Sequence, residues 1–129
     1  MNNLEELDVW KSARIIRKNI SEMVKSFPSE EKLHLVDRLV RASRSITANI
    51  AEGFGGFRFQ EIIPCYRSGT GSIYQLREHI TYSFKEKFLT DSKFKIIQSD
   101  IEVLLSQLNK HIFHLTKEKI EKNTEKNNS

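Results

Sequence analysis

Apolar residues recur at intervals of three and four along most of this chain, in four segments separated by short breaks. Such a repeat places apolar side chains on one face of an α-helix, since successive residues are about 100° apart. The pattern predicts helices over about residues 7–26, 30–52, 59–87 and 91–119. Four amphipathic helices on short loops predict an all-α fold, an antiparallel up-down-up-down four-helix bundle.

Residues typical of helix ends occupy the breaks. Pro28 disfavours helix in the residue before it. Gly53, Gly55 and Gly56 are expected to end the second helix, because glycine accepts the left-handed turn found there. Thr90 is expected to cap the fourth helix. On the second helix, the predicted core stripe is Leu33, Val36, Leu39, Val40, Ser43, Ile46, Thr47, Ile50 and Phe54.

The third segment contains three residues that disfavour helix, namely Pro64, Gly69 and Gly71. A proline in a helix interior removes one backbone hydrogen bond and costs about 3 kcal/mol. The pattern therefore also allows a late start near Glu61 or a kink at Pro64. The glycines cost up to about 1 kcal/mol each relative to alanine, which the close approach of a neighbouring helix would explain.

Composition favours one domain over residues 1–119, followed by a disordered polar tail over residues 120–129, which are mostly Glu, Lys and Asn. No apolar run approaches the roughly 20 residues that span a bilayer, and no signal peptide opens the chain. The single cysteine, Cys65, excludes an internal disulfide. We expect a cytoplasmic protein that does not enter membranes.

The sequence offers no arrangement of residues typical of a catalytic or metal site. His111 and His114 are three apart and can share a helix face, but no Glu-x-x-His motif supplies the carboxylates of a helical di-metal site. Cys65 lacks a Cys-x-x-Cys partner and is expected to be a small buried hydrophobe. The glycines at 53–56 follow a helix rather than a strand, unlike a phosphate-binding loop. We expect no enzyme activity, metal, cofactor or small-molecule substrate.

Basic residues form two stripes on the outer faces of the first two helices. The stripes comprise Lys11, Arg14 and Lys18 on the first helix and Arg38, Arg41 and Arg44 on the second. Such stripes can follow the phosphates of a nucleic acid, because each neutralised phosphate adds affinity. The alternative is an ordinary solvated face, partly neutralised by Glu22 and Asp37. The formal net charge of +4 does not decide between them.

A second feature is Asn49, Glu52 and Gly53, near the end of the second helix. Asn49 and Glu52 fall beside the core stripe, next to the small residues Ala48 and Ala51, which allow another helix to approach closely. One interpretation is a subunit contact or ligand surface. The other is a hydrogen-bond network that ends the helix within one subunit.

The chain resembles a known family, the 23S rRNA intervening-sequence proteins. The resemblance covers about residues 4–115 and is carried by motifs that are specific together. These are Leu7-Asp8-Val9-Trp10, Phe27-Pro28, Arg41-Ala42, Ser45-Ile46, Ala48-Asn49-Ile50-Ala51-Glu52-Gly53 and Gly71-Ser72. There are two departures: Thr47 stands where the family usually has proline, and Gln75-Leu76-Arg77 where it usually has Glu-x-Glu.

The resemblance implies a fold, an assembly and a class of partner. Members of this family are small four-helix bundles that form homopentameric rings and have no known catalytic residues. A related branch, the accessory proteins of diversity-generating retroelements, binds a reverse transcriptase and nucleic acid. The resemblance thus implies a homopentamer with a structured-RNA or nucleoprotein partner.

These inferences favour a non-catalytic, homo-oligomeric scaffold that binds structured RNA or a nucleoprotein through its basic helix faces. The alternative is a protein–protein interaction module with no physiological nucleic-acid ligand. Apolar residues outside the core stripes, among them Ile15 and Phe57, indicate a contact surface between proteins. Assembly into a homo-oligomer is compatible with both the RNA-binding scaffold and the protein–protein interaction module.

Overall fold

The computed structural model describes residues 3–128, and over that range it contains helices and no strands. The α-helices are α1 over Asp8–Met23, α2 over Asp37–Phe54, α3 over Phe59–Lys85 and α4 over Asp91–Asn128. Shorter turns are 3-10 at Leu4–Glu6, Val24–Ser26 and Ser29–Glu31, and π-helical at Lys32–Val36. The all-α prediction is confirmed. None of the described helices is both long and apolar enough to cross a membrane.

One apolar core lies between the four helices. α2 packs against α1 and α3, and α4 packs against the same two helices. The apolar face of α1 is buried, since Val9, Ala13, Ile16 and Ile20 each expose at most 1% of their surface. Leu104 and Leu108 of α4 are completely buried on the opposite side of the core. Each such Ile or Leu side chain contributes about 1.5–3 kcal/mol by leaving water.

The start of the second helix differs from the prediction. Leu33 was expected in the core but is 82% exposed, whereas Leu35 is 5% exposed. Ala42 and Gly53, which the predicted stripe omitted, are also buried. The side of α2 that carries these small residues packs closely on α3. The buried face of the second helix therefore includes Leu35 rather than Leu33. The π-helical turn at Lys32–Val36 adds to the change of register.

α3 begins at Phe59 and continues through Pro64, so the late start near Glu61 does not occur. Pro64 is exposed, and its ring therefore does not disturb the core. The carbonyl that it leaves without a partner belongs to Gln60, in the first turn. Gly69 is buried, but an added Cβ would lie at ordinary contact distances of 3.4 Å from Leu108 and 3.6 Å from Asn49, and a Cβ at Gly71 would meet nothing within 4 Å. A close helix approach therefore does not account for either glycine.

The fourth helix is longer than predicted. Lys93 donates its N–H to the Thr90 hydroxyl at 3.2 Å, which confirms the predicted cap. The predicted end near residue 119 is wrong, because α4 continues as far as Asn128. Glu and Lys are strong helix formers, and the Lys122 ammonium lies 5.1 Å from the centre of the Phe59 ring. Residues 1, 2 and 129 of the predicted ranges lie outside the described residues, and the division into domain and tail stays a prediction.

Gly53→Ala should destabilise the protein by about 1–3 kcal/mol, the usual cost of overpacking. The added Cβ would lie 2.5 Å from Cε1 of Tyr66, which is itself buried and cannot swing away. Gly71→Ala is the matched control, because a Cβ there meets nothing within 4 Å. That change should stabilise the helix by up to about 1 kcal/mol. Urea unfolding measures both, and equal effects would contradict the close packing at Gly53.

Candidate nucleic-acid interface

All six basic residues predicted to bind nucleic acid are exposed. The structure places them in three groups rather than in one cluster. Lys11, Arg14 and Lys18 line a depression on α1. Arg38 and Arg41 line a groove between α2 and α3. Arg44 lies in neither, on the side of α2 that faces α1.

The depression on α1 has a volume of about 420 Å³ and also contains Trp10 and Ile15. The Arg14 guanidinium lies 5.5 Å from the centre of the Trp10 ring. A cation–π contact at an exposed site stabilises by about 0.5–1 kcal/mol, so Arg14 is held over the ring. Lys11 and Lys18 form no ion pair with any residue in the range 3–128 and keep their charge available to a phosphate.

The groove between α2 and α3 consists of two adjoining depressions with volumes of about 400 and 270 Å³, both lined by Arg38 and His79. We call the two together the α2–α3 groove. Its other lining residues are Glu31, His34, Leu35, Arg41, Ala42 and Ser45 on the α2 side and Gln75, Glu78 and Tyr82 on α3. Of these lining residues, only Arg38 and Arg41 were predicted from the sequence to bind nucleic acid. Positions 75, 79 and 82 share one face of a helix by their spacing, but the sequence does not say which helix that face meets.

Arg17, which the sequence analysis did not select, joins α1 to α2. Its Nη1 donates to the Thr47 hydroxyl at 3.1 Å, and that hydroxyl donates to the Arg44 carbonyl at 3.0 Å. Lys18 follows Arg17 directly, and Arg44 lies three residues before Thr47. The contact therefore joins the two helices that carry the basic stripes.

Carboxylates partly neutralise the α2–α3 groove. Arg41 forms an ion pair with Asp37 at 3.0 Å, with both side chains largely exposed. An exposed pair of this kind contributes only about 0–1 kcal/mol, so a phosphate can replace Asp37 at little cost. Arg38 forms no ion pair within the described part of the chain. It is the cation best placed to receive an anion in the groove.

His79 lies between the two helices, close to Arg38. Burial lowers the pKa of His79 below its ordinary value of 6.5, the positive charge of Arg38 lowers it further, and Glu78 opposes both effects. The imidazole is therefore neutral at pH 7, with one nitrogen that donates and one that accepts a hydrogen bond. Its role in the groove is hydrogen bonding rather than charge.

Asn49 belongs to a hydrogen-bond network that ties α2 to α3. Its Nδ2 donates to the Ser45 carbonyl at 2.9 Å and approaches the Ser45 hydroxyl at 3.3 Å. The Ser45 and Ser72 hydroxyls are 2.8 Å apart, and Ser72 donates to the Ser68 carbonyl at 3.2 Å. Ser45 is therefore the donor between the two serines. These contacts lie inside α2 and between α2 and α3 rather than at the end of the helix, and both interpretations of Asn49 stay predictions.

Gly53 and Glu52 differ in their surroundings. Gly53 is buried under Tyr66. Gly55 ends the helix with φ near −77°, and no described glycine has a positive φ. The left-handed glycine turn expected at the end of α2 is therefore wrong. Glu52 is exposed and makes no hydrogen bond or ion pair within residues 3–128. A subunit contact through Glu52 stays a prediction.

The histidines and the cysteine do not form a reactive centre. No group of three or more His, Cys, Asp or Glu side chains in the described range could hold a metal ion. His111 Nε2 lies 2.9 Å from Asp8 Oδ1, which joins α4 to the start of α1. Burial raises the pKa of the partly buried Cys65 thiol, and the charges of Glu52 and Glu61 raise it further. The thiol therefore stays protonated near neutral pH, unlike a nucleophilic cysteine.

These features define a class of protein, a small four-helix protein with exposed basic residues on two adjacent helices. The profile of the 23S rRNA-intervening sequence protein family matches residues 5–110. The chain belongs to this family, and the resemblance seen in the sequence is confirmed. It is not a known enzyme family.

A solved structure has the same fold. It is a protein with unknown function from the S23 ribosomal protein family of Bacteroides thetaiotaomicron VPI-5482, with a TM-score of 0.75. The alignment covers 81% of this chain and 94% of that chain, at 17% sequence identity. Likeness at this level of identity shows the fold alone. Among curated proteins, no sequence matches this chain.

Arg38→Gln should raise the pKa of His79, because the guanidinium charge opposes its protonation. NMR titration of the imidazole measures the change, and Arg44→Gln should leave the pKa of His79 unaffected.

The lowered pKa of His79 also means that the unfolded chain binds this proton more readily than the folded protein. The free energy of unfolding should therefore fall as the pH drops through 6.5 toward the folded pKa. A His79 pKa at or above 6.5 in the wild type would contradict this.

Proposed function

We propose that this protein is a non-catalytic cytoplasmic scaffold that binds structured RNA or a nucleoprotein through the basic surface of α1 and α2. The observation that carries the proposal is the contact of Arg17 with Thr47, which joins α1 to α2, the two helices that carry the exposed basic residues. Cations at several points along a surface can neutralise successive phosphates, and each contact adds salt-dependent affinity. The family name and the absence of a known enzyme activity in the family agree with this function.

We further propose that the helices form an up-down-up-down bundle and that copies assemble into the homopentameric ring which the resemblance implies. Contacts between α3 and α4 pair Phe59 with Lys122 and Arg77 with Glu102, an order that supports antiparallel helices. A ring of five would multiply the net charge of one chain, +4, and strengthen its attraction for RNA. Light scattering should then give five times the mass of one chain.

A protein partner is the second candidate function, favoured by exposed apolar side chains. Leu33 is 82% and Phe57 96% exposed, and Ile15, Ile96 and Val103 are each more than half exposed on α1 and α4. Apolar contacts between proteins persist at high salt, whereas contacts with phosphates are screened. Assembly without any affinity for RNA would favour this function over the first.

Reversal of Arg38, Arg41 and Arg44 together to Glu should weaken binding to a labelled RNA hairpin at least tenfold. Three lost phosphate contacts should also reduce the slope of log affinity against log salt by about 2–3. Fluorescence anisotropy over a salt series measures both quantities. Circular dichroism should show unchanged helicity, because all three side chains are exposed.

The matched control reverses Lys95, Lys110 and Lys117 of α4 to Glu, which changes the net charge by the same amount. These lysines are exposed on the helix that does not pack against α2. If binding depends on the basic surface of α1 and α2, the control should retain most of its affinity. An equal loss in the two variants would show that only the overall charge matters.

A further inference from the structure

Tyr82 is an exposed aromatic ring at one end of the α2–α3 groove, where 49% of its surface is open to water. Within the described residues, neither an aromatic ring nor a cation lies against it. Tyr74, on the same helix and 46% exposed, differs because the Arg77 guanidinium lies 4.8 Å from its ring centre. Arg77 is in turn held by Glu102 at 2.8 Å. Among the described tyrosines that line the groove, Tyr82 therefore offers a ring face to a ligand.

Charge is distributed unevenly along the groove. The end that contains Tyr82 is lined by the carboxylates Glu31 and Glu78, while Arg41 lines the other end. Arg38 lines both depressions where they meet. A phosphate is therefore repelled from the Tyr82 end and attracted to the Arg38 and Arg41 end. A ligand that carries both a flat ring and a phosphate would be oriented by this difference.

Neutral polar groups line the middle of the groove. The Gln75 amide and the His79 imidazole can each donate and accept hydrogen bonds. The Ser45 hydroxyl donates to Ser72 and can therefore only accept a hydrogen bond from a ligand. The floor includes Ala42, whose small side chain leaves room between the helices. Hydrogen-bonding groups of this kind suit a ribose hydroxyl or the edge of a base.

From these observations we propose that the α2–α3 groove binds an unpaired nucleotide of an RNA strand, with its base stacked on Tyr82 and its phosphate bound by Arg38 and Arg41. This inference rests on the proposed RNA-binding function and specifies which part of an RNA the groove takes. In a duplex the faces of the bases are stacked on one another, so they are not available to a ring of the protein. A free aromatic ring beside a cation gains affinity only from a base that is exposed.

The experiment compares Tyr82→Leu with Tyr82→Phe and with the control Tyr74→Leu. The probes are a labelled single-stranded RNA of 12 nucleotides and a blunt duplex that contains the same strand. Stacking of one base on an aromatic side chain corresponds to a loss of between about 5-fold and 150-fold on removal. Tyr82→Leu should lose this much affinity for the single strand and little for the duplex. Tyr82→Phe and Tyr74→Leu should bind both probes like the wild type.

Several outcomes would overturn the inference. They are wild-type affinity of Tyr82→Leu for the single strand, an equal loss of affinity for the duplex, and a loss no greater than that of Tyr74→Leu. If Tyr82→Leu has no effect while reversal of the three arginines abolishes binding, the proposed function stands and the nucleotide site is wrong. If the wild type binds neither probe, the proposed function fails and the inference fails with it. Circular dichroism of each variant verifies that the helices remain folded.

Discussion

The close packing of α2 on α3 is the contact on which the candidate site depends. Gly53 has no side chain, so the ring of Tyr66 can lie where a Cβ would be. The network through Ser45 then fixes the two helices in register. Because their backbones lie so close, residues on the outer edges of both helices line one shared groove.

The stabilisation that each charged contact on this surface gives depends on how exposed its side chains are. The pair between Arg41 and Asp37 is exposed, so its stabilising effect is small and its charges remain open to exchange. Arg17 is different, because its bond to Thr47 lies at a partly buried helix contact and serves to align two helices. The basic surface thus combines one arginine with a structural role and several cations that are available to a ligand.

Local sequence patterns predicted most of the fold. The apolar spacing of Val9, Ala13, Ile16 and Ile20 predicted the buried face of α1, and Thr90 marked the start of α4. Leu33 was misplaced because an apolar residue at helical spacing was assigned to the core without knowing where α3 would pack. The helix beyond residue 119 was missed because its residues bury little surface, although Glu and Lys favour helix by themselves.

The sequence by itself determined the all-α class, the family and the exposure of the six predicted basic residues. It could do so because the helical period fixes the direction of each side chain around its own helix axis. Only the tertiary structure decided that Arg38 faces His79 and Tyr82, that Arg17 bridges to Thr47, and that Asn49 bonds within its own subunit. Those relations depend on how two helices approach and rotate against each other, which is set by small residues and packing far apart in the chain.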